Sequence, residues 1–196
     1  MALFDRVKNI IINPKAEWQV INSETSTGAS LIFTYLLPLA LIAAVATFIG
    51  FSFLTFGGIG FGTEYGLIYA CIMLVQLIVS VYVNALVTDA LAPSFGSEKN
   101  IGKSMQLVVY AATPAYVGAI LNIIPAIGWL GSLAGGIYSI YLLYLGIPVL
   151  KKTPQDKVPI YLIVIIIVLI LVYAVIQYIL WRVVFSSFYI GLHTGL

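Results

Sequence analysis

The uncharged stretch 31–53, which reads LIFTYLLPLALIAAVATFIGFSF, decides the fold class of this chain. A helix rises about 1.5 Å per residue and the hydrocarbon core of a bilayer is about 30 Å thick, so about 20 apolar residues span it. Further apolar runs of sufficient length occupy 66–92, 105–124, 127–150 and 158–185. The sequence therefore predicts an all-α protein, a polytopic membrane bundle of five transmembrane helices.

Composition supports this fold class. Hydrophobic residues make up 62% of the chain, charged residues only 8%, and the mean hydropathy is +1.10, which excludes a soluble globular domain. The net charge of +2 is small and its basic residues flank apolar runs, so no nucleic-acid partner is expected. The single cysteine, Cys71, cannot form an intramolecular disulfide.

The basic residues predict the orientation of the bundle. Eight of the nine Lys and Arg residues lie before the first run, between the second and third, or between the fourth and fifth. They are Arg6, Lys8, Lys15, Lys99, Lys103, Lys151, Lys152 and Lys157. The other connections, 54–65 and 125–126, contain none. By the positive-inside rule the amino terminus is cytosolic and the carboxyl terminus lies on the far side, where Arg182 reaches the headgroups.

Residues 1–30 form a cytosolic segment in front of the transmembrane domain, 31–196. At about 100° per residue, Leu3, Phe4 and Val7 fall on one helical face and polar residues on the other, which predicts a short amphipathic helix. The helix either lies in the membrane interface or packs on the bundle as a cap. The candidate membrane-surface face comprises Phe4, Lys8, Lys15 and Trp18.

A polar stripe runs along the second span. Its members, four residues apart, are Gln76, Ser80, Asn84 and Thr88. Because the stripe drifts only about 40° per step, we expect it to face the bundle interior, as interhelical hydrogen bonding or as the wall of a polar path. Asp89, next to the stripe, needs either a partner or a position among the headgroups near Lys99 or Lys103.

Pro114 predicts a kink in the third span, because it removes a backbone donor and frees the carbonyl of Tyr110. Gln76 lies at a similar depth in its own span, so we hypothesise that its amide donates to that carbonyl. The candidate intramembrane polar cluster therefore comprises Gln76, Ser80, Asn84, Thr88, Asp89, Thr113 and Pro114.

Small residues favour close packing of the fourth span. They form two rows, Gly131, Gly135 and Ser139 beside Gly128, Ser132 and Gly136. Such rows let helices approach closely, either within one chain or in an oligomer. Only residues 125 and 126 separate this span from the third, which predicts an antiparallel hairpin.

No motif indicates catalysis. The glycine-rich segment 56–62 lacks the lysine of a phosphate-binding loop, and a single histidine, His193, excludes a histidine pair for a metal and a serine triad. Asp89 has no second intramembrane carboxylate to work with. We therefore expect a non-enzymatic protein with no catalytic residue, cofactor or metal.

Three motifs resemble the Yip family of Ypt/Rab-interacting membrane proteins, in its prokaryotic form. They are NALVTDALAPSFG at 84–96, YAATPAY at 110–116 and YSIYLLYLG at 138–146, together with an opening that carries Asn13, Pro14 and Trp18. The resemblance implies five membrane helices, a cytosolic amino terminus and a prokaryotic cytoplasmic membrane. Eukaryotic relatives are associated with Rab-type GTPases and membrane shaping and commonly carry DLYGP before the first span, a string that is absent here.

Two functions follow from these observations. The first is a membrane-organising or adaptor protein whose cytosolic face senses the lipid bilayer or recruits protein partners. The alternative is a small transporter, ion path or lipid scramblase that uses the polar stripe of the second span.

Overall fold

The computed structural model describes residues 2–54 and 61–194, with side chains except those of 176, 177 and 179–194. All regular structure in these residues is helical. The α-helices are α1 (Leu3–Ile12), α2 (Pro14–Ser23), α3 (Gly28–Leu31), α4 (Leu37–Phe53), α5 (Thr63–Leu91), α6 (Ile101–Ala111), α7 (Thr113–Gly118), α8 (Pro125–Leu150) and α9 (Val158–Thr194). A π-helical turn, Ile32–Leu36, joins α3 to α4, while the 3₁₀ turns Ala92–Phe95 and Ala119–Ile123 extend α5 and α7.

The predicted all-α membrane fold is confirmed. Within the described residues, five helical segments are long and apolar enough to cross a bilayer. They are Gly28–Phe53, Thr63–Phe95, Ile101–Ile123, Pro125–Leu150 and Val158–Val175. The third begins four residues before its predicted start at 105, because the side chain of Asn100 accepts a hydrogen bond from the Lys103 N–H at 3.1 Å and caps the helix early.

Proline positions explain two local departures from a regular helix. Pro38 offers no N–H to the carbonyl of Thr34, and the chain passes this point in the π-helical turn. Pro114 separates α6 from α7, as the sequence predicts for a kink. Pro14 stands at the first position of α2, where a missing N–H costs nothing.

Close contacts between backbones hold the spans together. A Cβ atom built on Gly131 would overlap the carbonyl oxygen of Gly118, and one built on Gly135 would overlap that of Pro114. The third and fourth spans therefore form the predicted antiparallel hairpin through the first row of small residues. In the second row, a Cβ on Gly128 would overlap the side chain of Asn122, whereas one on Gly136 would meet no atom within 4 Å. The Gly131 and Gly135 face is thus occupied within the chain.

Candidate functional site

Charged and polar side chains gather at one end of the bundle, which we call the basic end. It comprises the end of the second span, the connection 96–100, the start of the third span and the connection 151–157. The helices α1 and α2 pack against the same half of the bundle. In the described part of the chain, three separate ionic groups lie here, one centred on Asp89, one on Arg6 and an exposed pair of Lys152 with Glu98.

Asp89 is buried and paired with Lys151. The lysine Nζ lies 2.8 Å from Oδ1 of Asp89, and the Lys151 side chain is 0% exposed. Nζ also donates to Ser104 Oγ at 2.7 Å and to the carbonyl of Asn100 at 3.2 Å, so three acceptors surround the ammonium group. The same Asp89 oxygen accepts from the Asn100 N–H at 2.7 Å and from Ser104 Oγ at 3.0 Å. Of the two alternatives that the sequence left open, the structure shows a partner, which is Lys151 and not Lys99 or Lys103.

Further bonds connect this pair to all the neighbouring spans. The hydroxyl of Tyr161, at the start of α9, donates to the carbonyl of Thr88, and its ring stacks on Phe95 at 4.8 Å between centroids. The hydroxyls of Ser97 and Thr153 are 2.8 Å apart. Spans two, three, four and five are therefore tied together at the basic end.

The polar stripe does not lie on a single buried face. Gln76 is exposed, whereas Thr88 is buried. The hydroxyl of Ser80 donates to the carbonyl of Leu77 in its own helix at 2.8 Å. Among the described residues, the Asn84 side chain accepts from the hydroxyl of Tyr173 in the fifth span at 2.9 Å, and the carbonyls of Ser80 and Thr88 accept from Tyr173 and Tyr161. The expectation that the whole stripe faces the bundle interior is thus wrong at Gln76.

The carbonyl freed by Pro114 is satisfied locally. Thr113 Oγ1 donates to the Tyr110 carbonyl at 2.7 Å and lies 2.8 Å from the hydroxyl of Tyr35 in the first span. The hypothesis that Gln76 donates there is wrong, because the donor is Thr113 and the Gln76 side chain is exposed. Thr113 and Pro114 are both buried and are structural members of the kink.

Arg6 holds the amino-terminal helices in their fold. Its guanidinium donates to the carboxylates of Glu17 and Glu24, and it lies 5.4 Å from the centroid of the Tyr110 ring. Arg6 is only 5% exposed and Glu17 only 4%. Burial opposes the charge on Arg6, but the hydrogen bond and negative charge of Glu24, with Glu17, raise its pKa above the ordinary value. Arg6, Glu17 and Glu24 therefore form an ionic clasp in which Arg6 and Glu17 are buried and Glu24 is partly exposed.

The rest of this amino-terminal unit is docked on the bundle. The hydroxyl of Tyr138 in α8 donates to the carbonyl of Ile11 at 2.7 Å, and Lys103 Nζ donates to the carbonyl of Asn22 at 2.8 Å. Trp18 is 0% exposed, and its ring fills the space beside Gly146. Its expected place on the membrane-surface face is wrong, because a glycine in α8 leaves a recess that the indole occupies.

The other residues of the candidate membrane-surface face do point outward. Phe4 is 74% exposed, and Lys8 and Lys15 are exposed as well. Ile12, at the end of α1, is 71% exposed. Of the two placements that the sequence left open, the structure shows the packed cap, and this cap keeps an apolar outer edge. We call residues 2–24 the cap.

Within the described residues, no group of three His, Cys, Asp or Glu side chains is close enough to hold a metal ion. Most of the glycine-rich segment, residues 55–60, and the side chains of Arg182 and His193 lie outside the described part of the chain.

A family model for the Yip1 domain matches residues 8–176, which is most of the chain. The chain belongs to the Yip family. It is 29% identical over 151 residues to the inner membrane protein YohC of Escherichia coli strain K12, covering 72% of this chain and 76% of that protein, and the same figures hold for YohC of strain O6:H1. No solved structure matches. The predicted location, integral to a prokaryotic cytoplasmic membrane, is confirmed by these inner-membrane relatives and by the five apolar helices.

Proposed function

We propose that this Yip-family chain is a non-enzymatic membrane-organising protein whose cap acts within one leaflet and offers a surface to lipid or protein partners. The single observation that carries the proposal is the docked cap with an outward apolar edge, formed by Phe4 and Ile12.

The depth of the cap supports this role. Tyr138, whose hydroxyl holds the carbonyl of Ile11, lies in the middle of α8 and about 20 Å from Lys151 along the helix axis. The carboxyl-terminal end of α1 is therefore beside the spans instead of above them. At that depth the exposed Ile12 side chain meets acyl chains.

An apolar helix edge in one leaflet expands that leaflet relative to the other, which favours curvature toward the cap. The clasp between Arg6 and the two carboxylates fixes α1 to α2, so the inserted edge is rigid. Lys8 and Lys15 are exposed on the same unit and add attraction to anionic headgroups or to an acidic partner, about 1 kcal/mol per residue near an anionic surface.

Among the described residues, the polar side chains of the second span do not line a common route, as the transport alternative requires. Gln76 is exposed, Ser80 bonds to its own helix, and the carboxylate of Asp89 is occupied by Lys151. A route along the second span would need these groups to line one channel.

Tubes pulled from giant vesicles test the proposal. The full-length protein is reconstituted with the cap outward, and its density in the narrow tube is divided by its density in the parent vesicle. We expect enrichment in the tube for the wild type and a ratio near one for Phe4→Ser combined with Ile12→Ser. The matched control, Phe4→Leu with Ile12→Leu, keeps the apolar edge and should sort like the wild type. Equal sorting of the serine variant and the wild type would contradict the proposal.

A second set of vesicles tests the basic part of the surface. Lys8→Glu combined with Lys15→Glu should reduce sorting in membranes that contain anionic lipid and leave it unchanged in neutral membranes. Lys152→Glu, at an exposed position in the connection between the fourth and fifth spans, serves as the charge control. An equal effect of the control variant would show that net charge and not the cap is responsible.

A further inference from the structure

A polar cavity of about 480 Å³ lies between α1, the linker after α2 and the heads of the first and third spans. Its lining includes Arg6, Glu24, Ser26, Thr34 and Tyr110. The volume falls in the range of about 300–1,000 Å³ that is usual for small-molecule sites. The cap residues Arg6 and Glu24 form one wall, and Thr34, Tyr35 and Tyr110 of the spans form the other.

Buried polar groups in the lining retain bonding capacity. Arg6 is 5% exposed and uses one terminal nitrogen for Glu17 and the other for Glu24, which leaves further N–H groups of its five. Tyr110 is also 5% exposed, and within the described part of the chain no hydrogen bond to its hydroxyl is found. Arg6 bonds Oε1 of Glu24, so Oε2 remains an acceptor. These groups line the cavity and are open to a ligand there.

The charges around the cavity select a zwitterion. Arg6 is balanced by Glu17, and Glu24 lies near Lys103, whose Nζ is 3.2 Å from the Glu24 carbonyl. The formal charges of these four side chains sum to zero, so the site has no excess positive charge that would favour a ligand with a net negative charge. It instead presents donors from Arg6 and Tyr110 near a carboxylate acceptor, which is a pattern for a ligand with separated positive and negative ends.

We propose that this cavity binds the phosphoethanolamine head group of a membrane phospholipid. The phosphate accepts from the free N–H groups of Arg6 and from the Tyr110 hydroxyl, and the primary ammonium donates to Glu24 and the hydroxyl of Ser26. A quaternary choline ammonium has no N–H to donate, so phosphatidylcholine loses the second half of this recognition. The apolar side chain of Leu3, which also lines the cavity, borders the acyl chains.

Native mass spectrometry of the full-length protein in detergent tests the site. Phosphatidylethanolamine, phosphatidylcholine and phosphatidylglycerol with identical acyl chains are titrated separately. We expect one phosphatidylethanolamine per chain, bound at least about tenfold more tightly than phosphatidylcholine because a charge-assisted hydrogen bond is lost with choline. Equal affinity for these two lipids would overturn the proposal, as would tighter binding of phosphatidylglycerol.

Two variants assign the binding to this cavity. Tyr110→Phe removes a hydroxyl that has no partner in the described structure, so the fold is kept and phosphatidylethanolamine affinity should fall about fivefold. The matched control is Tyr82→Phe, at a tyrosine that is 47% exposed in the second span. Glu24→Gln should abolish the preference for ethanolamine over choline. Unchanged affinity in Tyr110→Phe and an unchanged preference in Glu24→Gln would overturn the assignment. Because vesicle shape is not measured, this result is independent of the proposed function.

Discussion

Breaking the buried pair between Asp89 and Lys151 should destabilise the bundle far more than breaking the exposed pair between Lys152 and Glu98. The variant Lys151→Met keeps a long, flexible side chain but removes the ammonium group that lies 2.8 Å from the Asp89 carboxylate. Asp89 would then be a buried charge whose remaining partners are the Asn100 N–H and the Ser104 hydroxyl.

The magnitude follows from burial. At an effective dielectric constant of about 20, two unit charges at the observed separation attract by about 6 kcal/mol, and the desolvation of both charges offsets much of this energy. Removal of one partner leaves the other desolvated without compensation, which costs about 3–5 kcal/mol. The pair of Lys152 with Glu98 is the matched control, because its side chains are 67% and 53% exposed. Lys152→Met should cost about 0.5 kcal/mol.

The assay is equilibrium unfolding in mixed micelles, with rising mole fraction of dodecyl sulfate and intrinsic tryptophan fluorescence as the probe. The double variant Asp89→Asn with Lys151→Met removes both charges and keeps an acceptor for the Asn100 N–H. The free energy of unfolding that it loses should be about 2–3 kcal/mol smaller than the sum of the two single losses. A loss below about 1 kcal/mol for Lys151→Met, or additive losses in the double variant, would refute the conclusion that this is a coupled buried pair.

Three further outcomes are expected. Gly131→Ala should lower the free energy of unfolding by about 1–3 kcal/mol because its Cβ overlaps the facing helix, whereas Gly136→Ala, which meets open space, should be neutral in the same assay. Tyr35→Phe should cost about 1 kcal/mol through its lost bond to Thr113, and no change in the unfolding midpoint would contradict this. A cysteine at Thr25, in a background without the native cysteine, should be labelled by an impermeant maleimide only after cells are permeabilised; labelling of intact cells would reverse the predicted orientation.

The five spans could be predicted because apolar length is a local property of the sequence. No soluble element needs an uncharged run such as 31–53, so the presence and order of the helices follow directly. Their exact starts depend on polar capping residues, which hydropathy does not weigh. Asn100 shows this effect, since it begins the third span ahead of its apolar run.

The partner of Asp89 could not be predicted, because the basic residues near the spans look alike in sequence. Lys99 and Lys103 are nearer along the chain, but Lys151 is brought to the carboxylate by the packing of the fourth span against the third. One sequence feature could have narrowed the choice. Lys151 directly follows the apolar run 127–150, so its side chain starts at the edge of the bundle, where a buried carboxylate most needs an ammonium group.

The cap shows a second limit of prediction from a helical sequence pattern. A helical pattern tells which residues share a face, but not what covers that face. Trp18 and Phe4 are both aromatic residues of the cap, yet one is fully buried and the other is 74% exposed. The difference is set by Gly146 in another helix, more than a hundred residues away, whose missing side chain makes room for the indole.

The two halves of the bundle are stabilised by different interactions, close backbone packing in one half and ion pairs in the other. This difference indicates where a response to lipid is expected. Away from the basic end, backbones meet directly, as at Gly118 and Gly131, because an apolar environment rewards close packing and penalises unpaired charge. The ion pairs of Arg6 and Asp89 lie toward the basic end, where helix ends and connections supply the extra hydrogen bonds that buried charges require. Glycine contacts cannot shift without overlap, whereas a polar cavity beside a clasped cap can accept or release a head group. The parts of this protein that respond to lipid are therefore expected in the cap and its cavity, with the glycine-packed hairpin as the fixed frame.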